Sequence, residues 1–384
     1  AMDERIPERA RKGRGAVSND RSSRFTALQR ERTDDGWAGA RSAQGPCGDT
    51  ADAPADDLAS DPGALEGPAP RTVIGTDRST SALAWNASPD VPFDRSLNPY
   101  KGCEHGCVYC FARPTHAYLD LSPGLDFETR IFAKPDAPAL LRRELAKPGY
   151  TPATITLGAN TDPYQPAERD HRISRALLEV LEEARHPVCI VTKGAAVTRD
   201  ADILGRMAER KLARVMVSVT TLDRELCRTL EPRAPQPARR LQAVRTLVDA
   251  GVPTGVLAAP MIPALNDWEL ERILAAAAEH GADTAGYVLL RLPHEIKHLM
   301  AEWLDAHAPG KKAHVLSLVR QARDGALYDA SWGTRMKGTG QYAQLLAQRF
   351  RLAAKRHALA GDRWDLDTSQ FRPPAKDPRQ ASLF

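Results

Sequence analysis

Short apolar runs alternate with amphipathic stretches between residues 96 and 292. The runs are typical of strands buried on both faces, and the stretches have the 3.6-residue period of helices that pack on a core. The predicted strands are residues 96–101, 153–157, 187–192, 213–220, 254–259 and 284–290. The predicted helices are residues 136–147, 173–185, 199–211, 237–250 and 266–280, the last with Asn266 as its N-cap.

This alternation predicts an α/β fold in which helical crossovers join parallel strands. A complete eight-unit barrel takes about 250 residues, whereas this region supplies six units in less, so we expect a partial (β/α)6 barrel over residues 71–292. Further amphipathic stretches at 293–307, 311–323 and 341–357 predict a C-terminal helical extension over residues 293–361. Residues 362–384 are polar and Pro-rich, which predicts a flexible tail.

Residues 1–70 show no sustained periodicity and contain few bulky apolar residues. Their content of Arg, Asp, Ala, Gly and Pro is typical of a disordered or loosely docked leader. Two islands, GRGAVSN at residues 13–19 and DDGW at residues 34–37, are the candidates to dock on the folded body. A plain flexible leader is the alternative.

The formal net charge of +4 is too small to indicate a nucleic-acid-binding protein without a localised basic patch. No apolar run approaches the roughly 18 residues that a membrane span needs, and the N-terminus lacks the apolar stretch of a secretory signal. We therefore expect a cytoplasmic protein that has no membrane partner.

Three of the six cysteines, Cys103, Cys107 and Cys110, lie within eight positions in the pattern CxxxCxxC. Few cysteines in so long a chain do not suggest a disulfide framework, so metal binding is the better interpretation. Three close thiolates can hold three irons of a cubane cluster and leave the fourth iron open. Gly102 and Gly106 let the backbone wrap closely around such a body and offer amide donors to its sulfides.

The alternative is a zinc site made of these cysteines with His105 or His116. Zinc modules of this size are usually small and rich in loops, whereas this loop follows the first strand of a predicted barrel, where barrel active sites lie. A zinc-stabilised nucleic-acid-binding protein without catalysis stays open as a hypothesis from another class.

The CxxxCxxC pattern, with an aromatic residue before its last cysteine and a barrel strand before its first, resembles the radical S-adenosylmethionine (SAM) superfamily over about residues 95–295. Four stretches are similar to a bacterial subgroup related to spore photoproduct lyase: NPYKGCEHGCVYCFARPTHAY, GANTDPYQPAE, TLEPRAPQPARRL and VLAAPMIPALND. The resemblance implies a 4Fe-4S cluster whose open iron binds SAM through its amino and carboxylate groups. It further implies that a reductant such as flavodoxin or ferredoxin supplies an electron, that SAM is cleaved, and that a 5′-deoxyadenosyl radical abstracts hydrogen.

The resemblance also implies which residues hold SAM. Thr161 and Asp162 match the position for the SAM amino group, since a carboxylate can accept from an ammonium. Lys193 suits the SAM carboxylate, and Ser218 can form a hydrogen bond to the same moiety. Without the cysteine loop, each would count as an ordinary turn, strand-end or packing residue.

Two further positions are implied around the cofactor. Tyr109 would lie beside the adenine, and Arg233 in the LEPRAP turn could contact an anionic group of cofactor or substrate.

One position departs from the subgroup. In spore photoproduct lyase, a cysteine directly before the Ser/Thr-Asp pair returns a hydrogen atom to the product, and Asn160 occupies that place here. Asn cannot donate a hydrogen atom usefully, so thymine-dimer reversal by the same route is in doubt. The substitutes that the sequence offers are Cys189, Cys227, Tyr100 and Tyr164.

Residues 294–298 spell HEIKH, an HExxH string on a predicted helix that is typical of zinc metalloproteases. Such enzymes also need a third ligand and an upstream edge strand, and neither is evident. We therefore interpret the string as a surface helix with incidental histidines.

The last five residues, QASLF, resemble the peptide with which bacterial replication and repair proteins bind the sliding clamp. In such a peptide, Leu383 and Phe384 would enter an apolar pocket while Gln380 makes a polar contact. The motif is short enough to arise by coincidence, but its place after a Pro-rich linker favours function.

Together these patterns predict a radical SAM enzyme that acts on a DNA base or lesion. The alternatives are a radical SAM enzyme that modifies RNA, a peptide or a metabolite, and the zinc-stabilised protein described above.

Overall fold

The computed structural model describes residues 10–25, 71–359 and 366–375. Its strands are β1 (Val73–Thr76), β2 (Leu83–Trp85), β3 (Arg95–Leu97), β4 (Tyr100–Lys101), β5 (Arg130–Ala133), β6 (Ile155–Leu157), β7 (Val188–Thr192), β8 (Ala213–Ser218), β9 (Thr254–Met261) and β10 (Thr284–Leu289). Its α-helices are α1 (Leu125–Thr129), α2 (Ala137–Leu145), α3 (Glu168–His171), α4 (Ile173–Glu183), α5 (Ala201–Ala208), α6 (Arg224–Leu230), α7 (Pro237–Asp249), α8 (Leu270–Glu279), α9 (Ile296–His307), α10 (Lys312–Gln321) and α11 (Gly340–Arg356). Short 3-10 helices cover Arg113–Leu119, Ala195–Asp200, Asp267–Glu269 and Pro309–Lys311.

A seven-stranded sheet in the order β10-β9-β8-β7-β6-β3-β2 is the centre of the molecule. Its strands from β3 to β10 pair in parallel, and β2 adds an antiparallel edge. The sheet is open, with β2 and β10 as its two edges. The predicted α/β class and the six predicted parallel strands are confirmed. The prediction succeeded because parallel strands with helices on both faces of the sheet have continuous apolar sequences.

The first predicted strand, residues 96–101, is in fact two strands in two sheets. β3 pairs with β6, whereas β4 pairs antiparallel with β5 in a second sheet of order β1-β5-β4. Pro99 separates them, and proline has no backbone N–H to continue a ladder. The chain therefore leaves the main sheet just before the cysteine loop begins.

Asn266 precedes the helical segment as predicted, but its side chain does not cap it. The Asn266 Oδ1 atom accepts from the backbone N–H of Ile262 at 2.6 Å, and its Nδ2 atom donates to the carbonyls of Thr220 at 2.7 Å and Pro260 at 3.0 Å. The N-cap position is thus as predicted, whereas the side-chain cap is absent because these longer-range bonds take the amide and tie the turn after β9 to the end of β8.

The predicted extension shares the core of the barrel. Buried residues of α11, among them Leu346 and Ala353, belong to the same apolar cluster as the strands of the main sheet. The backbone N–H of Leu289 in β10 donates to the carbonyl of Met336 at 2.9 Å, so the segment before α11 borders the edge strand. The boundaries that we predicted at residues 70, 292 and 361 stay predictions.

Two terminal segments lie against this body. Arg14 to Ser18 of the island at 13–19 are buried, whereas the island at 34–37 lies outside the described residues. Residues 366–375 fall in the stretch predicted as a flexible tail, yet Phe371 packs on Tyr150 and His186 there. Gln380, Leu383 and Phe384 lie outside the described residues.

Among the described residues, no helix is both long and apolar enough to cross a membrane.

Candidate active site

The cysteine loop runs from β4 to the 3-10 helix Arg113–Leu119. Two of its turns need a left-handed backbone, with φ of 78° at Gly102 and 68° at Gly106, which explains the glycines. The backbone N–H of Cys103 donates to the carbonyl of Phe127 at 2.9 Å, and that of Val108 donates to the carbonyl of Leu230 at 3.1 Å. The loop is thus fixed to the segment after β8 on one side and to α1 on the other.

The three cysteines of the loop are shielded from solvent to different degrees. Cys103 and Cys107 are buried and Cys110 is half-buried. Burial raises the pKa of Cys107 to about 12, and burial together with Asp162 and the other two cysteines raises the pKa of Cys103 well above its usual value. With raised pKa values, Cys103 and Cys107 become thiolates at neutral pH when a metal cation such as iron or zinc binds them.

The zinc alternative would need its donors around a single ion position. Within the part of the chain that the structure describes, no three His, Cys, Asp or Glu side chains converge on one ion position. A tetrahedral zinc site requires such convergence, whereas in a cubane each cysteine binds a different iron. The His116 Nε2–H group donates to the carbonyl oxygen of Arg130 at 2.9 Å.

A buried arginine holds the loop from behind. Arg113 is completely buried and donates to the carbonyls of Gly106 at 3.0 Å and Cys107 at 2.8 Å, and to both carbonyls of residues 123–124. The same guanidinium pairs with the buried carboxylate of Glu128 at 2.5 Å. Arg113 therefore fixes the backbone path between the first two cysteines.

The leader completes this support. The backbone N–H groups of Gly15 and Ala16 donate to the Glu128 carboxylate at 3.0 and 2.8 Å. Gly15 approaches the loop so closely that a Cβ atom there would lie 1.8 Å from the carbonyl oxygen of Gly106. The island at 13–19 thus docks directly on the cysteine loop.

Gln165 and Arg233 fix the other end of the loop. Gln165 accepts from the N–H of Glu104 at 2.9 Å and donates to the carbonyl of Gly102 at 3.2 Å. The half-exposed Arg233 guanidinium donates to the Glu104 carboxylate at 3.1 Å, and its backbone N–H donates to the carbonyl of His105 at 3.2 Å. The LEPRAP turn is thereby joined to the cysteine loop.

Asp162 ties together the loops that follow β6 and β7. It accepts from Thr192 Oγ1 at 2.6 Å, from the N–H of Lys193 at 2.7 Å and from the N–H of Tyr164 at 2.9 Å. His105 Nδ1 lies 3.3 Å away, an ion-pair distance without the angle of a hydrogen bond. Burial would raise the pKa of Asp162, but these neighbours outweigh it and hold that pKa well below its usual value.

Thr161 and Asn160 are ordered by the residues between β3 and β4. Thr161 Oγ1 donates to the carbonyl of Tyr100 at 2.7 Å, and the N–H of Asn160 donates to Asn98 Oδ1 at 2.8 Å. The turn before Asp162 therefore sits beside the start of the cysteine loop.

A buried polar network lies beneath the third cysteine. The Tyr109 hydroxyl donates to Glu231 and lies 3.2 Å from Thr220 Oγ1, which itself donates to Glu231 at 2.6 Å. Arg240 pairs with the second carboxylate oxygen of Glu231, and Cys227 Sγ lies 3.7 Å from the same oxygen. Buried charges of this kind need such pairing, because an unpaired one would carry a large desolvation cost.

Lys193, the residue directly after β7, lies near this network. Its Nζ atom lies 5.7 Å from the centre of the Tyr109 ring. Burial alone would lower the pKa of Lys193, but Cys107 and Glu231 raise it above its usual value. Burial would raise the pKa of Glu231, yet Arg240 and Lys193 lower it to about 2. A charged ammonium is thus held beside the loop.

Comparison with known proteins decides the family. A family model described as the radical SAM superfamily matches residues 97–277. An uncharacterised protein of Mycobacterium tuberculosis is 33% identical over 300 residues, which cover 77% of this chain and 83% of that protein. The chain belongs to the radical SAM superfamily. An uncharacterised protein of Methanocaldococcus jannaschii is 26% identical over 173 residues, which cover 45% of this chain and 62% of that protein.

Solved structures agree with this fold. A point mutant of spore photoproduct lyase matches with a TM-score of 0.54 and 18% identity, covering 75% of this chain and 80% of that one. A double mutant of the same lyase, with bound AdoMet and dinucleoside spore photoproduct, matches with a TM-score of 0.54 and 18% identity over 74% and 79% of the two chains. Radical SAM proteins use a 4Fe-4S cluster and SAM, and the cysteine loop fits that requirement.

Ser218 is the last residue of β8 in this radical SAM sheet. It is buried, pairs in register with Leu257 of β9, and its carbonyl accepts from Arg240 at 3.1 Å. Ser218 therefore borders the network around Glu231.

The residues that could replace the missing cysteine have different surroundings. Tyr100 donates to Glu168 at 2.5 Å and Tyr164 donates to Asp200 at 2.9 Å, and burial raises the pKa of both phenols. Cys189 is completely buried in the middle of β7. Cys227 contacts the network below Tyr109, since its Sγ atom lies 3.7 Å from a carboxylate oxygen of Glu231.

The HExxH string does not form a zinc helix. α9 begins at Ile296, and His294 has a left-handed backbone with φ of 48°, so the first histidine and the glutamate precede the helix. Glu295 accepts from Ser22 and from Arg24 at 2.7 Å, so the leader occupies its carboxylate. His294 and His298 are exposed, which supports the interpretation as incidental histidines.

Five residues that support the loop were not predicted from the sequence: Arg113, Glu128, Gln165, Glu231 and Arg240. All of them except Glu128 lie inside the four stretches that are similar to the spore photoproduct lyase subgroup. Their charged or amide side chains in those stretches could have marked them as candidates. Glu128 lies outside these stretches and had no signal of its own.

Proposed function

We propose that this protein cleaves SAM reductively and uses the resulting radical on a base or lesion in DNA. The observation that carries the first part is the loop of three cysteines, anchored by buried side chains beside the ends of the parallel strands. When bound, the cluster and SAM supply a strong hydrogen-abstracting group. Cys103, Cys107 and Cys110 would hold three irons.

The residues near the loop are suited to bind the rest of SAM. Lys193 supplies a cation for the carboxylate, and Tyr109 supplies an aromatic ring for the adenine. Thr161 and Asp162 are proposed for the amino group, and Ser218 for the same moiety. Because Asp162 already accepts three hydrogen bonds, its remaining lone pairs would have to serve the ammonium.

Arg233 is proposed to contact an anionic group of cofactor or substrate. Its guanidinium is half-exposed and donates to Glu104 through one nitrogen, so further donors remain for such a group.

The DNA substrate is supported by the similar fold of spore photoproduct lyase, a mutant of which was solved with bound AdoMet and dinucleoside spore photoproduct. Asn160 stands where that enzyme has its hydrogen-returning cysteine, so the return step here would differ. We propose Cys227 as the first residue to test for that step, since it contacts the network below Tyr109.

The test of SAM cleavage uses the full chain, reconstituted with iron and sulfide without oxygen and then reduced. We expect 5′-deoxyadenosine from the wild type and none from Cys107→Ala. Cys189→Ala is the matched control, because it removes a buried thiol outside the loop. Cleavage by Cys107→Ala at the wild-type rate would overturn the proposal.

The test of the substrate class is deuterium transfer. Deuterated DNA, RNA and peptide are each incubated with the reduced enzyme, and label is measured in 5′-deoxyadenosine. Label from DNA alone supports the proposal. Label from RNA or peptide instead would show that this polymer, and not DNA, is the substrate.

The C-terminal peptide is proposed to bind the sliding clamp. Removal of residues 380–384 should abolish clamp pull-down, as should the pair of substitutions Leu383→Ala and Phe384→Ala. Unchanged pull-down would remove this reason for placing the enzyme on DNA.

A further inference from the structure

An aromatic ring and an arginine meet next to the third cysteine. Phe111 directly follows Cys110, and 46% of its surface is exposed. Arg291 follows the end of β10, and its guanidinium carbon lies 5.4 Å from the centre of the Phe111 ring. This contact therefore links the cysteine loop to the segment that follows the last parallel strand.

The charge of Arg291 has no carboxylate partner among the described residues. One of its terminal nitrogens donates to Met336 Sδ at 3.3 Å, and its buried Nε atom makes no hydrogen bond. Asp90 is the nearby acid, but Arg335 and the backbone N–H of Gly333 take its two oxygens. A half-buried guanidinium in this state is a binding site for an anion.

The neighbouring Arg323 is not available for the same role. It is buried and donates to the carbonyls of Leu290 and Thr334, both at 3.0 Å. Arg323 thus fixes the backbone next to Arg291 and is not available to bind an anion.

A second aromatic pair lies farther along the same segment. Tyr118, in the 3-10 helix that begins at Arg113, is 72% exposed. The ring of Phe25 from the leader lies 5.0 Å from it, and the guanidinium carbon of Arg24 lies 5.1 Å from the Phe25 ring. Exposed rings beside arginines are the features on which proteins bind single-stranded nucleic acid, through base stacking and phosphate contacts.

We propose that Phe111 and Arg291 bind one nucleotide of a single DNA strand next to the reacting base. Phe111 stacks on the base, and Arg291 pairs with the phosphodiester. The inference rests on the proposed function and names the residues that hold its substrate. An acidic peptide would use Arg291 without needing a flat ring beside it, so the pair favours a nucleotide.

The experiment measures binding of a fluorescent single-stranded DNA to reconstituted full-length enzyme, over a range of salt concentrations. Arg291→Gln should weaken binding about tenfold and lower the salt slope by about one. Phe111→Ala should also weaken it about tenfold, and Phe111→Trp should retain affinity. The controls Arg206→Gln and Trp85→Ala change an exposed arginine and an exposed aromatic elsewhere on the described surface and should bind like the wild type.

The outcomes separate this inference from the proposed function. Equal DNA affinity of the wild type, Arg291→Gln and Phe111→Ala would overturn the inference while the DNA substrate stands. Absence of DNA binding by a wild type that cleaves SAM would overturn both this inference and the DNA substrate. SAM affinity is measured in parallel, and a larger loss of SAM affinity than of DNA affinity in Arg291→Gln would assign the residue to the cofactor and overturn the inference. Tighter binding of the matching RNA would overturn the assignment to DNA.

Discussion

Gly15 of the leader lies against Gly106 of the cysteine loop with no room for a side chain between them. A Cβ atom on Gly15 would lie 1.8 Å from the Gly106 carbonyl oxygen and 3.3 Å from the Val108 nitrogen. These are backbone atoms of the segment that carries the cysteines, so they cannot move aside without moving the loop. The leader is therefore part of the support of the site.

Gly15→Ala should displace the leader and loosen the loop. We expect a loss of about 1–3 kcal/mol in the free energy of unfolding, the usual effect of overpacking, and less iron retained after reconstitution. Iron analysis and urea unfolding check both effects. The control is Gly310→Ala, where an added Cβ meets nothing within 4 Å; equal iron content in both variants would contradict the role of the leader.

Arg113→Met should be strongly destabilising. It leaves the buried Glu128 carboxylate without the guanidinium that pairs with it, and it removes the donor to the carbonyls of Gly106, Cys107, Pro123 and Gly124. Loss of one partner of a buried pair costs about 3–5 kcal/mol. Lys312→Met breaks an exposed pair with Asp305 and should cost at most about 1 kcal/mol. Chemical unfolding distinguishes them, and similar losses would show that Arg113 is dispensable.

Lys193→Met should weaken SAM binding about 10- to 100-fold, the range that loss of a charge-assisted hydrogen bond gives. Calorimetric titration with SAM measures the affinity, at matched iron content. Lys312→Met serves again as the control, because it removes an ammonium from the surface. SAM affinity equal to that of the wild type would assign the SAM carboxylate to another residue.

Protonation of His186 should lower the free energy of unfolding in mild acid. Burial lowers its pKa to about 4, below the usual value of 6.5, and outweighs the hydrogen bond to the Pro187 carbonyl, which raises the pKa. The Tyr150 hydroxyl lies 2.9 Å from the His186 Nε2 atom. The folded state therefore binds fewer protons than the unfolded state below pH 6.5. The contribution is complete above pH 6.5 and is lost as the pH falls toward 4.

The loss from His186 should reach about 3 kcal/mol over this window. Urea unfolding at pH 7 and pH 4.5 measures it in the wild type and in His186→Gln, which cannot titrate. The variant should show the smaller difference between the two pH values, while the exposed His298→Gln should match the wild type. An equal difference in His186→Gln would mean that another group controls the acid response.

The strands of the main sheet were predictable because each is a continuous apolar run with helices on its faces. The cysteine loop was predictable because its three cysteines lie close together in the sequence, so their spacing can be recognised without knowledge of the fold. The split at Pro99 was readable in principle, since proline interrupts a ladder, but the apolar run around it concealed the change of sheet.

The supports of the site were not predictable from local patterns. Glu128 binds Gly15 and Ala16 across more than 110 positions of sequence, and Tyr109 meets Glu231 across 122. Such contacts depend on how the chain folds back on itself, and one carboxylate in a helix gives no periodic signal of its partner. The sequence shows Arg291, but for the same reason it does not show that this arginine lacks a carboxylate partner among the described residues.

The central claim is that the three cysteines bind a cluster with one iron open to SAM. Electron paramagnetic resonance of the reduced, reconstituted protein tests it most directly, recorded with and without SAM. The account predicts a 4Fe-4S signal whose g values shift when SAM is added, and no such signal in Cys107→Ala. A signal that SAM leaves unchanged, or a protein that binds zinc and no iron, would contradict it.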